Sequence, residues 1–130
     1  MRPSLTFWLV LAAICAAFLF LATPKTGSRT VVRDSATQFD LAAFKTAINQ
    51  FEIDTGQYPA GSNGLLQLLH QPTGETNWHG PYLDKMPKDP WNHDYVYQCP
   101  GKHNPDSFDL FSVGPDGRAG TDDDIVNWKQ

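Results

Sequence analysis

An α+β fold is what this sequence predicts: an amphipathic helix laid against a small antiparallel sheet, behind an apolar segment of membrane-spanning length. Three observations carry that reading. Leu41, Phe44, Ala47, Ile48 and Phe51 recur at three- and four-residue steps, which puts one apolar stripe on a helix. Tyr95-Val96-Tyr97-Gln98-Cys99 and Phe108-Asp109-Leu110-Phe111-Ser112-Val113 are short runs rich in aromatic and β-branched residues, with Pro100-Gly101 and Asn104-Pro105 between them. They read as two strands of an antiparallel hairpin packed on that helix. Finally, no charge interrupts the stretch from Leu5 to Ala22, and Thr6 is its only polar side chain.

That stretch holds eighteen residues. As a helix it rises about 27 Å, close to the roughly 30 Å of a bilayer core. A cleaved signal peptide is the competing reading, but a cut after Ala22 would put Phe20 where a small residue is wanted. Lipoprotein processing at Cys15 is opposed by Ile14 just before it. The expectation is therefore an uncleaved N-terminal membrane anchor over residues 1–24. A polar linker follows at 25–34, where Pro24 and Gly27 weaken any helix. Residues 35–130 form one small domain, of a size that buries a limited share of its surface.

Within the domain, Ser35 or Thr37 is placed to cap the helix, and Gly56 followed by Pro59 ends it. Gly64-Leu65-Leu66-Gln67-Leu68-Leu69 reads as a short second helix that stops near Pro72. Residues 73–94 are rich in proline, yet Trp78, Tyr82 and Trp91 each have a large area to bury, so the loop is ordered. Cys15 and Cys99 give no disulfide framework, and Cys99 reads as a packed residue. The net charge is −4, and basic residues are not interleaved with aromatics in any patch, which argues against a nucleic-acid partner. His79, His93 and His103 lack paired spacing and read as surface residues, not zinc ligands.

The acidity is concentrated near the C-terminus. Ser112-Val113-Gly114-Pro115-Asp116-Gly117 leads to Thr121-Asp122-Asp123-Asp124-Ile125-Val126-Asn127-Trp128. Four carboxylates fall in nine positions, with Arg118 as the one cation among them. A solvated acidic tail is the ordinary reading of such a run. Here apolar Val113, Ile125 and Trp128 bound it, so the aspartates belong to a folded loop, where adjacent negative charges need a counter-ion. Hard oxygen donors on a Gly-rich turn suit Ca²⁺, which takes six to eight oxygens at roughly 2.3–2.6 Å. Acid–base catalysis by Asp116 with Asp123 or Asp124 lacks an activating partner in the sequence, so no enzyme is expected.

A set of motifs in order carries a resemblance. Gln57-Tyr58-Pro59, Gly64-Leu65, Gly80-Pro81-Tyr82-Leu83, Met86-Pro87-Lys88-Asp89-Pro90-Trp91, Tyr95-Val96-Tyr97 and Pro100-Gly101-Lys102-His103 are followed by Asp109-Leu110-Phe111-Ser112-Val113-Gly114-Pro115-Asp116-Gly117 and Asp123-Asp124-Ile125-Val126-Asn127-Trp128. Over roughly residues 40–130 the chain resembles the major pseudopilin, the G-type subunit, of bacterial type II secretion systems. The resemblance implies a pilin-like fold with a calcium-binding C-terminal loop. It also implies assembly with other pseudopilin subunits, homo-oligomeric and minor, into a short filament on the inner membrane that supports export of folded proteins. The family's ligands fall on the side chains of Asp116, Asp123 and Asp124 and on the backbone carbonyls of Val113 and Arg118; Asp122 receives no role.

Two features depart from the family's pattern. The opening Met1-Arg2-Pro3-Ser4-Leu5-Thr6-Phe7-Trp8 has neither the Gly-Phe cleavage site nor the early glutamate of a pseudopilin. A membrane-anchored, calcium-dependent binding module that does not polymerise is therefore the alternative. Lys25, Arg29 and Arg33 beyond the anchor, against Arg2 before it, would by the positive-inside rule keep the domain cytoplasmic. The resemblance places it in the periplasm, single-pass from the inner membrane, and a weak calcium site would fill only there.

Overall fold

One long helix organises the domain. The structure, a computed structural model, describes residues 27–61 and 63–129; the anchor expected at 1–24 lies outside the described residues. Among these residues no helix is long and apolar enough to cross a membrane. Helix α1 runs Gly27–Thr55. Residues Val31–Gln130 form one compact unit; of the other, Met1–Thr30, only the helical residues 27–30 are described.

Residues 27–34 are thus helical where a polar linker is expected from the sequence. A single glycine costs a helix only about 1 kcal/mol, and no further glycine or proline interrupts the chain until Gly56. A tertiary contact reaches the added turns. The Arg33 guanidinium lies 6.0 Å from the Trp91 ring centroid, within cation–π range. Thr37 is no cap: it is buried inside the helix, and its hydroxyl donates to the Arg33 carbonyl at 3.0 Å. The helix ends where the sequence places its end, at Gly56, in the left-handed region with φ +80°.

All five residues of the apolar stripe are buried. They pack with Leu68, Tyr95, Phe108 and Leu110 in one core, edged by Tyr58, Trp78, Tyr82 and Met86. Phe44 meets Tyr95 edge-on at 5.1 Å, and Tyr58 meets Phe108 likewise at 5.4 Å. The short second helix is a 3₁₀ turn, Gly64–Leu68. Gly64 is required there, since a β-carbon would sit 2.8 Å from the Tyr97 ring. In the proline-rich loop, Trp78 donates to the Gln67 carbonyl at 2.8 Å and the Tyr82 hydroxyl to Asp54 at 2.7 Å.

The sheet has three antiparallel strands in the order β1 (Val96–Gln98), β2 (Asp109–Ser112), β3 (Ile125–Val126). The expected hairpin is β1–β2, with Tyr97 opposite Leu110. β3 is an addition: Ile125 pairs with Ser112 and Val126 with Phe111, so the acidic run is the connection between two neighbouring strands.

Phe44 has no exposed surface, whereas Ile53 on the opposite side of the helix is 71% exposed. Phe44→Ala should lower unfolding free energy by about 3–5 kcal/mol, and Ile53→Ala should stay within about 0.5 kcal/mol. Urea unfolding of the full chain in detergent checks both; comparable losses would mean the core lies elsewhere.

Candidate functional site

β2 brings Ser112 and Val113, both buried, to the mouth of the acidic loop. The chain then turns at Gly114 (φ +61°) and again at Gly117 (φ +69°), both in the left-handed region. At Gly114 the requirement is steric as well, because a β-carbon would overlap the Asp123 carbonyl oxygen. The two ends of the loop therefore touch at Gly114 and Asp123.

Asp116 and Asp123 come together. The Asp116 amide donates to Asp123 Oδ2 at 3.1 Å, while Asp116 Oδ1 accepts the Arg118 amide at 2.8 Å. Thr121 bonds Asp123 Oδ1, and its hydroxyl also lies 3.1 Å from the Arg118 carbonyl. The Thr121 hydroxyl, and after it the Asp116 amide, hold the Asp123 carboxyl below the usual carboxylate range against a smaller opposing effect of desolvation. Asp124 turns towards another part of the loop, with Oδ2 accepting the Gly120 amide at 2.7 Å. Asp122 is exposed.

Among the described residues, no three His, Cys, Asp or Glu side chains converge as a metal cluster. Asp116, Asp123 and Asp124 each accept a backbone N–H of the loop. The donor chemistry nevertheless fits a hard cation, since all five expected ligands offer oxygen. One atom asks for a partner. Asp124 Oδ1 is buried and has no hydrogen bond among the described residues, a costly position for a carboxylate oxygen.

Behind the loop lie residues the sequence reading passed over. Asp89 is buried, and its Oδ1 accepts the amides of Trp91 at 3.0 Å and His93 at 2.7 Å. Its Oδ2 accepts the Ser112 hydroxyl at 2.6 Å. His93 is half-buried beside it, not a free surface residue. At the far end, Asn127 takes over the strand ladder: its Oδ1 accepts the Leu110 amide at 2.9 Å, and its own amide donates to the Leu110 carbonyl at 3.1 Å. His103 stacks on Trp128 with ring centroids 4.1 Å apart, and its Nδ1 lies 2.9 Å from Asp109 Oδ2. Burial works to raise the Asp109 pKa. The His103 amide, the His103 imidazole and the Asn104 amide outweigh it and hold the carboxyl below its ordinary range.

A long helix on a three-stranded antiparallel sheet, closed by this loop, is the fold of a pseudopilin. The crystal structure of the major pseudopilin from the type 2 secretion system of enterohaemorrhagic Escherichia coli superposes with a TM-score of 0.70 at 32% identity, covering 82% of this chain and 96% of that one. The family model described as type II secretion system (T2SS), protein G matches residues 26–128. The chain belongs to the type II secretion system protein G family, whose members are structural subunits and not enzymes. The type II secretion system core protein G of Escherichia coli K12 is 40% identical over 94 residues, 68% of this chain and 63% of that protein. The core protein G of Pseudomonas aeruginosa is 35% identical over 128 residues, 92% of this chain and 89% of that protein. The chain thus spans less than two thirds of the length of the Escherichia coli K12 relative.

Two outcomes follow from this geometry. Gly120 is also left-handed, but a β-carbon there meets nothing within 4 Å. Gly120→Ala should cost about 1–2 kcal/mol for its backbone conformation alone, and Gly114→Ala distinctly more, as read by thermal unfolding; equal costs would contradict the closed mouth. Asp109, with its lowered pKa, adds stability that is full above the ordinary carboxylate pKa of about 3.9 and is lost as pH falls through the lower folded value. Asp109→Asn should therefore be less stable at neutral pH and lose less below about pH 4; a urea-midpoint series across pH in which both chains run parallel would count against it.

Proposed function

We propose that the chain is a structural subunit of the type II secretion pseudopilus, supporting export of folded proteins, with Ca²⁺ stabilising its C-terminal loop. Family membership over residues 26–128 carries the first part. The apolar segment Leu5–Ala22 would hold the subunit in the inner membrane, with the domain in the periplasm. Assembly with other pseudopilin subunits is supported by the outer side of α1, where Val32, Phe39 and Ile53 are 68%, 76% and 71% exposed. Apolar side chains left in water along one helix are what subunit packing would cover.

For the ion, the carboxylates of Asp116, Asp123 and Asp124 and the carbonyls of Val113 and Arg118 are the proposed ligands. Bound there, Ca²⁺ would offset most of the loop's negative charge and bridge its two ends. The unpartnered Asp124 Oδ1 supports this reading. So does the contact of the Asp116 amide with the Asp123 carboxylate, which brings the two arms of the loop together.

The assembly reading is tested by expressing the chain with its secretion system and imaging sheared surface material by electron microscopy. Filaments containing the chain are expected, and a strictly monomeric membrane species would favour the anchored binding module instead. For calcium, the full chain in detergent is melted in EDTA and in Ca²⁺. An ion at ten times its Kd adds about 1.4 kcal/mol, or roughly 5–10 °C for a domain of this size. Asp124→Ala should abolish most of that rise and Asp122→Ala should keep it; no rise at millimolar Ca²⁺ sinks the site, and equal loss in the two variants sinks the ligand assignment.

A further inference from the structure

We propose that Asp89 is the positioning residue of the acidic loop, fixing through Ser112 and His93 the two left-handed corners, Gly114 and Gly117, that flank Asp116. Two routes leave this one buried carboxylate. On the first, Oδ2 accepts the Ser112 hydroxyl at 2.6 Å, and Ser112 Oγ in turn accepts the Gly114 amide at 3.1 Å. All three residues are buried, so the relay is shielded from competing water and each bond is stronger for it. It holds Gly114 in the conformation that lets Asp123 close on it.

On the second route, Oδ1 accepts the His93 amide at 2.7 Å. The backbone around it is fixed twice more, by the Asp89 amide donating to the His93 carbonyl at 3.0 Å and the Asn92 amide donating to the Asp89 carbonyl at 2.9 Å. That turn presents the His93 ring to the loop, where a β-carbon on Gly117 would lie 3.1 Å from Nε2. The ring also approaches Asp89. Its Nδ1 is 3.5 Å from Oδ2 and makes no hydrogen bond among the described residues. It acts as a wall behind Gly117.

The consequence is a loop whose Asp116 segment is set in place from the core. A pre-organised loop loses less conformational entropy when it takes up a ligand. The calcium arm of the test rests on the calcium reading above; the exchange arm does not.

The experiment compares wild type, Ser112→Ala, Asp89→Asn and the core control Leu68→Ala, as full chains in detergent. Amide hydrogen exchange across residues 113–124 is followed in EDTA, and Ca²⁺ affinity is measured by calorimetry. Ser112→Ala should raise exchange in this segment about tenfold and weaken Ca²⁺ about tenfold, with Asp89→Asn at least as severe. Leu68→Ala should lower the melting temperature and leave both local readouts as in wild type. Identical behaviour of Ser112→Ala and Leu68→Ala overturns the proposal, and so does wild-type exchange in Ser112→Ala. If wild type takes no Ca²⁺, the calcium reading falls while the exchange data still decide the relay. If Asp89→Asn does not fold, Ser112→Ala carries the decision.

Discussion

A carboxylate shut away from water is costly unless donors surround it, and at Asp89 three do: the amides of Trp91 and His93 and the hydroxyl of Ser112. Hydrogen bonds to a charged group contribute about 1.5–3 kcal/mol each, so the set offsets desolvation only while complete. The turn from Asp89 to His93, the last residue of β2 and the first corner of the acidic loop are thereby one constraint. β3 depends on it too. A strand of two residues cannot hold a register by its own ladder, and its approach to β2 is set by where the loop turns.

The parts of the fold legible in the sequence were those with a period. Leu41, Phe44, Ala47, Ile48 and Phe51 mark the buried side of α1 because a 3.6-residue repeat has only one way to face a core. The runs rich in aromatic and β-branched residues mark β1 and β2 by residue type. Residues 27–34 carry no such repeat, and a contact that reaches them, Arg33 over Trp91, joins positions far apart in the chain, which no local pattern conveys. Ile125-Val126 is too short to show alternation, so β3 was hidden inside an acidic motif.

The loop divides along the same line. Its position and its glycine corners agree with a reading of residue types alone. What spacing cannot convey is that Asp124 turns to Gly120 while Asp123 is taken by Thr121. Nor does it reveal Asp89, since an aspartate before proline is ordinarily an exposed turn residue. Ser112 beside Val113-Gly114 is the one local hint, a small hydroxyl between the apolar Phe111 and Val113. His93 shows the converse, since a loop histidine reads as surface although this one is half-buried, whereas His103 is exposed as expected.

A division of labour between the two ends of the loop explains why a cation would matter in this architecture. The β2 end is tied to the core through Ser112, with no need of an ion. The β3 end is held by Asn127 and by the His103–Trp128 stack, both of which act beyond the aspartates. Between them, Thr121 to Asp124 is tethered by short-range contacts inside the loop, and those are the contacts most readily opened by local fluctuation. Under the proposed reading, a divalent ion bridging Asp116 to Asp123 and Asp124 joins the end that is anchored to the segment that is not. Its stabilisation would then fall on the register of β3, where Val126 and Trp128 line the groove alongside α1, more than on the core that the helix stripe already secures.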